Sequence, residues 1–232
     1  MDKFSAIVLS AGKGTRMNSD VHKQYLDLLG RPVLYYSLAQ MQQHPAIREI
    51  ILVVGAGEED YVRTDIVDKY HLDKVRAIVP GGKERYHSVK NGLAALSEQD
   101  GFVLIHDGAR PCVTKEIIDR CIDSLKQSGS AVAGMPVKDT IKVVDGESFV
   151  KDTPERKSLW LVQTPQCFPV RTVAEAYAKM EAEGFTGATD DAMLVERYFP
   201  DFRVKMVEGA YTNIKVTTPE DLPAAGMFLE RR

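Results

Sequence analysis

A strand-like run ends at residues 10–17 in Ser10-Ala11-Gly12-Lys13-Gly14-Thr15-Arg16-Met17, a pattern that can hold a phosphate. Glycine lets the backbone come close to an anion, and successive amide N–H groups can cradle it. Two familiar phosphate loops are excluded. A dinucleotide fingerprint needs a third glycine where Met17 stands, and a Walker loop needs Gly-Lys-Ser/Thr, whereas Gly14 follows Lys13. A plain glycine-rich turn between strand and helix explains the motif about as well. Arg16 and Lys23, close behind it, tilt the reading towards a polyphosphate, which fixed cations suit.

Three further clusters carry polar groups, two of them next to predicted strand ends. In Gly81-Gly82-Lys83-Glu84-Arg85-Tyr86-His87-Ser88 the glycines read as a strand exit, or as a loop whose backbone meets a base. In His106-Asp107-Gly108-Ala109-Arg110, Asp107 reads as a helix cap, a partner for Arg110, or a carboxylate facing a hydroxyl or metal. Thr189-Asp190-Asp191 reads as a helix start, where acidic groups suit the positive end of the helix dipole. Cys112, Cys121 and Cys167 are widely spaced and form no CxxC pair, so neither a disulfide framework nor a zinc site is expected.

These residues need a scaffold. Short apolar runs at Phe4–Leu9, Glu49–Val54, Val75–Val79, Phe102–His106 and Ala131–Val137 read as strands. Between them, Val33–Gln43, Glu58–Tyr70, Arg85–Leu96 and Lys115–Gln127 have helical spacing of apolar residues. The alternation predicts an α/β fold, a single Rossmann-like domain over 1–232 with a mostly parallel twisted sheet flanked by helices. Its ligand crevice should lie at the carboxyl ends of the strands. After Val137 the rhythm changes. Asp139–Lys142, Val143–Asp145 and Phe149–Thr153 read as two short strands turning at Asp145-Gly146, a β-hairpin arm projecting over residues 139–157. Leu159–Gln163 resumes as a strand, and helices follow at Val170–Glu183, Thr189–Tyr198 and Thr218–Glu230.

Thirty basic against thirty-three acidic residues give a net charge of −3, which argues against nucleic-acid or anionic-membrane binding as the main task. No segment approaches the roughly 20 apolar residues of a membrane span, and the N-terminal run is too short for a signal peptide. A cytoplasmic location is expected.

The motifs occur in one order along the chain. Ala11-Gly12-Lys13-Gly14-Thr15-Arg16-Met17 is followed by Lys23-Gln24-Tyr25-Leu26, the Gly81 and His106 clusters, Asp139-Thr140-Ile141-Lys142, Gln163-Thr164-Pro165-Gln166-Cys167-Phe168, Thr189-Asp190-Asp191 and Asn213-Ile214-Lys215. Together they resemble the 2-C-methyl-D-erythritol 4-phosphate cytidylyltransferase family of the non-mevalonate isoprenoid pathway, over nearly the whole chain. The resemblance implies transfer of a cytidylyl group from CTP to that polyol phosphate, with release of pyrophosphate. It gives Arg16 and Lys23 the transition-state charge, and Arg156 and Lys215 the positioning of the acceptor. Ser10, Ala11, Gly12, Gly14, Gly81, Gly82, Arg85, Ser88, Asp107 and Gly108 would meet the nucleotide. Asp107, Arg110, Thr140, Arg156, Thr189 and Lys215 would meet the acceptor.

No protein metal ligands are implied, since Mg²⁺ would be held mainly by the CTP phosphates. The arm implies a homodimer in which Thr140 and Arg156 serve the neighbouring subunit, although by composition alone both are ordinary solvated residues. Ser10 and Gly108 stand where the family usually carries alanine. A cytidylyltransferase acting on another polyol phosphate, such as ribitol 5-phosphate, or a non-catalytic CTP-binding regulator are the competing readings.

Overall fold

Chain segments whose successive residues are all apolar can be covered on both faces, and this decides the layering. The computed structural model describes residues 3–12 and 22–232. In chain order its elements begin with β1 (Phe4–Ser10), β2 (Asp27–Leu28), β3 (Arg31–Pro32), α1 (Val33–Gln43) and β4 (Ile47–Val54). They continue with α2 (Glu59–Val62), β5 (Val75–Pro80), α3 (Arg85–Ala94), β6 (Phe102–Asp107), α4 (Lys115–Ser128) and β7 (Ala131–Pro136). Then come β8 (Val143–Val144), β9 (Val150–Asp152), β10 (Trp160–Pro169), α5 (Val170–Glu183), α6 (Asp191–Tyr198), β11 (Met206–Glu208) and α7 (Asp221–Glu230).

Seven strands form one sheet in the order β11-β7-β10-β6-β1-β4-β5. β1 pairs in parallel with β4 and β6, β4 with β5, and β7 with β11, while β10 runs antiparallel between β6 and β7. The sheet is therefore mostly parallel, as the alternation predicts. Successive side chains divide between two buried clusters. Val8, Leu52 and Leu104 pack with α1 and α4, through Leu34, Leu38, Ile118 and Leu125. Ile7, Ile51, Val53 and Ile105 pack with α3 and α5, through Val89, Leu93, Val173 and Tyr177. Each fully buried Ile, Leu or Val removes enough apolar surface to favour folding by about 1.5–3 kcal/mol.

The ends of α4 show how local chemistry bounds these elements. The Thr114 hydroxyl accepts from the Ile117 N–H at its start, and Gly129 takes a left-handed φ of 77° at its end. Elsewhere the boundaries differ from the sequence reading in instructive ways. The predicted helix Glu58–Tyr70 is split into α2 and a wider π-helical stretch, Arg63–Asp68. The strand expected to end at Gln163 continues to Pro169. Pro165 reads as a breaker, but it falls where the pairing with β7 shifts register between Val162 and Gln166, so its missing N–H interrupts no regular ladder. The edge strand β11 has only three residues and was not foreseen.

The hairpin β8–β9 forms as expected. Its turn is held by Asp145, whose Oδ1 accepts from the N–H groups of Glu147 and Phe149, both at 3.0 Å. Both arm strands are wholly exposed in the chain taken alone.

Candidate active site

The carboxyl ends of β1 and β6 and the loop before α3 surround a cavity of about 440 Å³, a size suited to a small ligand. Among the described residues, four basic side chains, Lys23, Lys83, Arg85 and Lys215, line it against two carboxylates, Glu84 and Asp107. The opening therefore favours an anion.

The walls are backbone brought very close together. Gly81 donates its N–H to the Val54 carbonyl at 2.7 Å. A Cβ on Gly81 would lie 2.2 Å from the Ala11 Cβ and 2.8 Å from the Ser88 Oγ. Glycine is thus required where the loop after β5 touches the loop after β1. Ser88 accepts the Gly82 N–H at 3.2 Å, which shapes the loop end facing the cavity. Gly108 donates its N–H to the Leu9 carbonyl at 2.8 Å. An alanine there would place its Cβ 2.7 Å from the Leu34 Cδ1, so this position is fitted to Leu34 beneath it.

Asp107 ends β6 and is almost fully buried. Lys215 lies 2.9 Å from its Oδ2, Arg85 Nε 3.6 Å from its Oδ1, and Arg110 Nε 3.8 Å from its Oδ2. Burial pushes this carboxyl up, but Lys215, Arg85 and Arg110 overcome it and hold the group well below the ordinary carboxylate range. Its backbone is fixed too. The Asp107 N–H donates to Thr164 Oγ1 at 3.1 Å, and that oxygen lies 3.0 Å from His106 Nδ1. Burial pushes the His106 imidazole down to about 4, against the pull of Asp107 and with help from Arg110. A neutral Nδ1 can then accept the threonine hydroxyl proton.

The segment Gln163-Thr164-Pro165-Gln166 organises the rest of the site. Gln163 and the Thr164 carbonyl accept from Asn213 Nδ2 at 3.1 and 3.0 Å, which pins the turn preceding Lys215. Gln166 Oε1 accepts the N–H groups of Asp191 and Ala192 at 3.0 and 2.9 Å, satisfying two free donors at the start of α6. Residue type and spacing alone give this motif no role. The signal was there, in three polar residues inside a strand that is buried at Gln163, Thr164 and Gln166.

Of the residues named from sequence, Ser10, Ala11, Gly12, Lys23, Gly82, Arg85, Ser88, Asp107 and Lys215 line the cavity. Lys23 also donates to the Val216 carbonyl at 2.9 Å, which brings it to the Lys215 side. Gly81 and Gly108 stand just behind the lining. Gly14 and Arg16 lie outside the described residues. Arg110 adjoins Asp107, and its Nη1 donates to the Asn213 carbonyl at 2.8 Å, so part of its guanidinium is engaged in holding the floor.

Three further residues named from sequence neither line the cavity nor adjoin its lining in the single chain. Thr140 is exposed on the arm, Arg156 donates to the Lys138 carbonyl at 3.0 Å, and Thr189 reaches Met193 Sδ at 3.4 Å. Sequence reasoning passed over Lys83, which lines the mouth, and Gln24, whose Nε2 donates to the Ser10 carbonyl at 2.6 Å and so ties the Lys23 segment to β1. Among the described residues no helix is long and apolar enough to cross a membrane.

The family model described as 2-C-methyl-D-erythritol 4-phosphate cytidylyltransferase (IspD) matches residues 4–231. A relative of that name from Caldanaerobacter subterraneus subsp. tengcongensis is 47% identical over 227 residues, 98% of this chain and 99% of its own. One from Alkaliphilus metalliredigens is 50% identical over 231 residues, 99% of this chain and 94% of its own. Among solved structures, a 4-diphosphocytidyl-2C-methyl-D-erythritol synthase from Anaerococcus prevotii superposes with a TM-score of 0.87 at 36% identity, covering 99% of this chain and 97% of that one. With its cationic cavity at the strand ends and a match from residue 4 to residue 231, the chain belongs to the 2-C-methyl-D-erythritol 4-phosphate cytidylyltransferase family.

Proposed function

We propose that the protein transfers the cytidylyl group of CTP to 2-C-methyl-D-erythritol 4-phosphate. A phosphate oxygen of the acceptor forms a bond to the α-phosphorus, the α–β phosphoanhydride bond breaks, and pyrophosphate leaves. The observation that carries this reading is the cavity in which Lys23, Lys83, Arg85 and Lys215 face one space at the ends of β1 and β6. A phosphate monoester loses its second proton at about pH 6, so the nucleophile is largely ionised at neutral pH and needs no strong base. What must be overcome is repulsion between an anion and a polyanion. Fixed cations aimed at the reacting phosphates do that. Lys23 and Arg16 are assigned to the transition-state charge, and Lys215 to the acceptor phosphate.

Mg²⁺ fits this arrangement as a metal held mainly by the triphosphate oxygens. Asp107, the buried carboxylate beside the cavity, is already committed to Lys215, Arg85 and Arg110. Bound there, the ion would neutralise phosphate charge and act as a Lewis acid.

The same reading takes 1–232 as one nucleotidyltransferase domain and 139–157 as its dimerisation arm. Phe149 and Val150 are 67% and 58% exposed on the arm, and Leu161 and Val162 on β10 are 51% and 45% exposed. An isolated two-stranded ribbon is marginal in water, and a second copy of the chain would cover these side chains. The exchange would carry Arg156 and Thr140 to the partner's acceptor. A cytoplasmic location accords with three free, buried cysteines.

The test is pyrophosphate release with CTP or ATP, each offered 2-C-methyl-D-erythritol 4-phosphate or ribitol 5-phosphate, with and without Mg²⁺. Turnover with CTP, Mg²⁺ and the methylerythritol phosphate is expected to exceed all other combinations. Equal specificity constants for the two acceptors would overturn the assignment of substrate, and equal constants for CTP and ATP the reading of the Gly81–Ser88 loop as a cytosine wall.

A further inference from the structure

Asp191, the first residue of α6, is wholly buried, and cytidylyl transfer as derived above gives it no task. Its carboxylate takes a forked pair of hydrogen bonds from Arg85, Nη1 to Oδ1 and Nη2 to Oδ2, both 2.7 Å. The Tyr177 hydroxyl donates to the same Oδ1. Burial works against the Arg85 charge, but Asp191, with Asp107 behind it, holds the guanidinium firmly protonated. Arg85 spans the distance between a sealed carboxylate and the cavity. With both terminal nitrogens occupied by Asp191, it turns its Nε towards Asp107 Oδ1, while Lys215 sits on Oδ2. Charges therefore alternate from the start of α6 to the cavity mouth: Asp191, Arg85, Asp107, Lys215.

We propose that Asp191 is a positioning residue that acts through Arg85 to orient Asp107, and thereby sets the place of Lys215. The proposal rests on the reading of Lys215 as the cation for the acceptor phosphate. A fork between guanidinium and carboxylate fixes direction as well as distance, which a lysine point charge does not. Buried ion pairs add little to stability over an apolar pair of similar shape, so what this pair supplies is the geometry it enforces. Gln166 strengthens the anchor, because it binds the Asp191 backbone from β10, the strand whose Thr164 also holds the Asp107 N–H. Asp191 and Asp107 are thus both referenced to one strand.

Two variants test this, Asp191→Asn and Arg85→Lys, alongside the wild type. Asp191→Asn keeps the shape but loses the charge, and Arg85→Lys keeps the charge but loses the fork. The specificity constant for the acceptor is expected to fall by about 10–100-fold in each, the scale of losing alignment by about 1 Å, while in Asp191→Asn, which leaves every residue lining the cavity in place, the KM for CTP stays at the wild-type value. A simply structural role would lower the melting temperature and leave the kinetics of the folded fraction unchanged, which would overturn the proposal. In Asp191→Asn, a loss falling equally on CTP and acceptor would overturn it as well. Should Asp191→Asn fail to fold, Arg85→Lys decides by its acceptor specificity constant, and an unchanged value would overturn the proposal. Wild-type turnover of the methylerythritol phosphate, measured in the same series, tests the underlying reading separately.

Discussion

Replacing Gly81 with alanine changes one methyl group, and the structure says where it must go. The new Cβ would sit 2.2 Å from the Ala11 Cβ, 2.8 Å from the Ser88 Oγ and 3.3 Å from the Val54 carbonyl oxygen. Carbon atoms rest at about 3.5–4.0 Å, so Ala11 and residue 81 must separate by roughly 1.5 Å. Overpacking of this kind typically destabilises by about 1–3 kcal/mol, and a site displaced by about 1 Å can lose on the order of 10² in rate. Both walls of the cavity move, because Ala11 lies on one and Ser88 on the other.

The clash also names its own remedy. Ala11→Gly removes the carbon atom that the new methyl group meets, and the Ser88 hydroxyl can rotate away. The double variant Ala11→Gly/Gly81→Ala is therefore expected to recover much of the lost stability and turnover, a non-additivity that marks direct contact. Gly12→Ala serves as the contrast, since a Cβ there has no described atom within 4 Å and should leave the melting temperature unchanged. Thermal unfolding and pyrophosphate release on the wild type, both single variants, their double and Gly12→Ala provide the measurement. Wild-type turnover in Gly81→Ala, or a double variant no better than the single, would refute the close-approach argument.

Arg16→Ala and Lys23→Ala are each expected to lower turnover by about 10²–10³-fold while the protein stays folded; near-normal turnover in either would remove that residue from the transition state. Refolding equal amounts of Arg16→Ala and Arg156→Ala together should return about a quarter of the wild-type sites, because random pairing makes half the dimers mixed and each mixed dimer has one intact site. Mixed dimers with no recovered activity would place Arg156 in its own chain's site. Burial pushes His106 down from 6.5 to about 4, so its unfolded form takes up a proton that the folded form refuses. Its contribution is complete above pH 6.5 and is lost as the pH falls towards 4, by about 3 kcal/mol; denaturant midpoints of wild type and His106→Asn across that range should diverge.

The layers of this fold were legible in the order of residues because burial imposes a period on the chain. Val8 and Ile7 face opposite clusters, as do Leu52 and Ile51, and such doubly apolar strands have one stable place, inside a sheet covered by helices. The carboxyl-end location of the site followed from the same rule, and the glycines at 12, 81 and 82 from the need for backbone to approach a ligand. The direction of β10 was not legible. An antiparallel strand between β6 and β7 depends on the path of the intervening chain, and Pro165 hid its second half. Nor could local sequence reveal that Gln163, Thr164 and Gln166 clamp three separate loops, or that Asp191 reaches Arg85 across 106 residues. Side-chain type and spacing report what a residue can do and which face of its own element it occupies. Which distant group completes its hydrogen bonds is decided only when the elements pack, because a buried carboxylate, amide or guanidinium takes its partner from whatever the assembled core brings within about 3 Å.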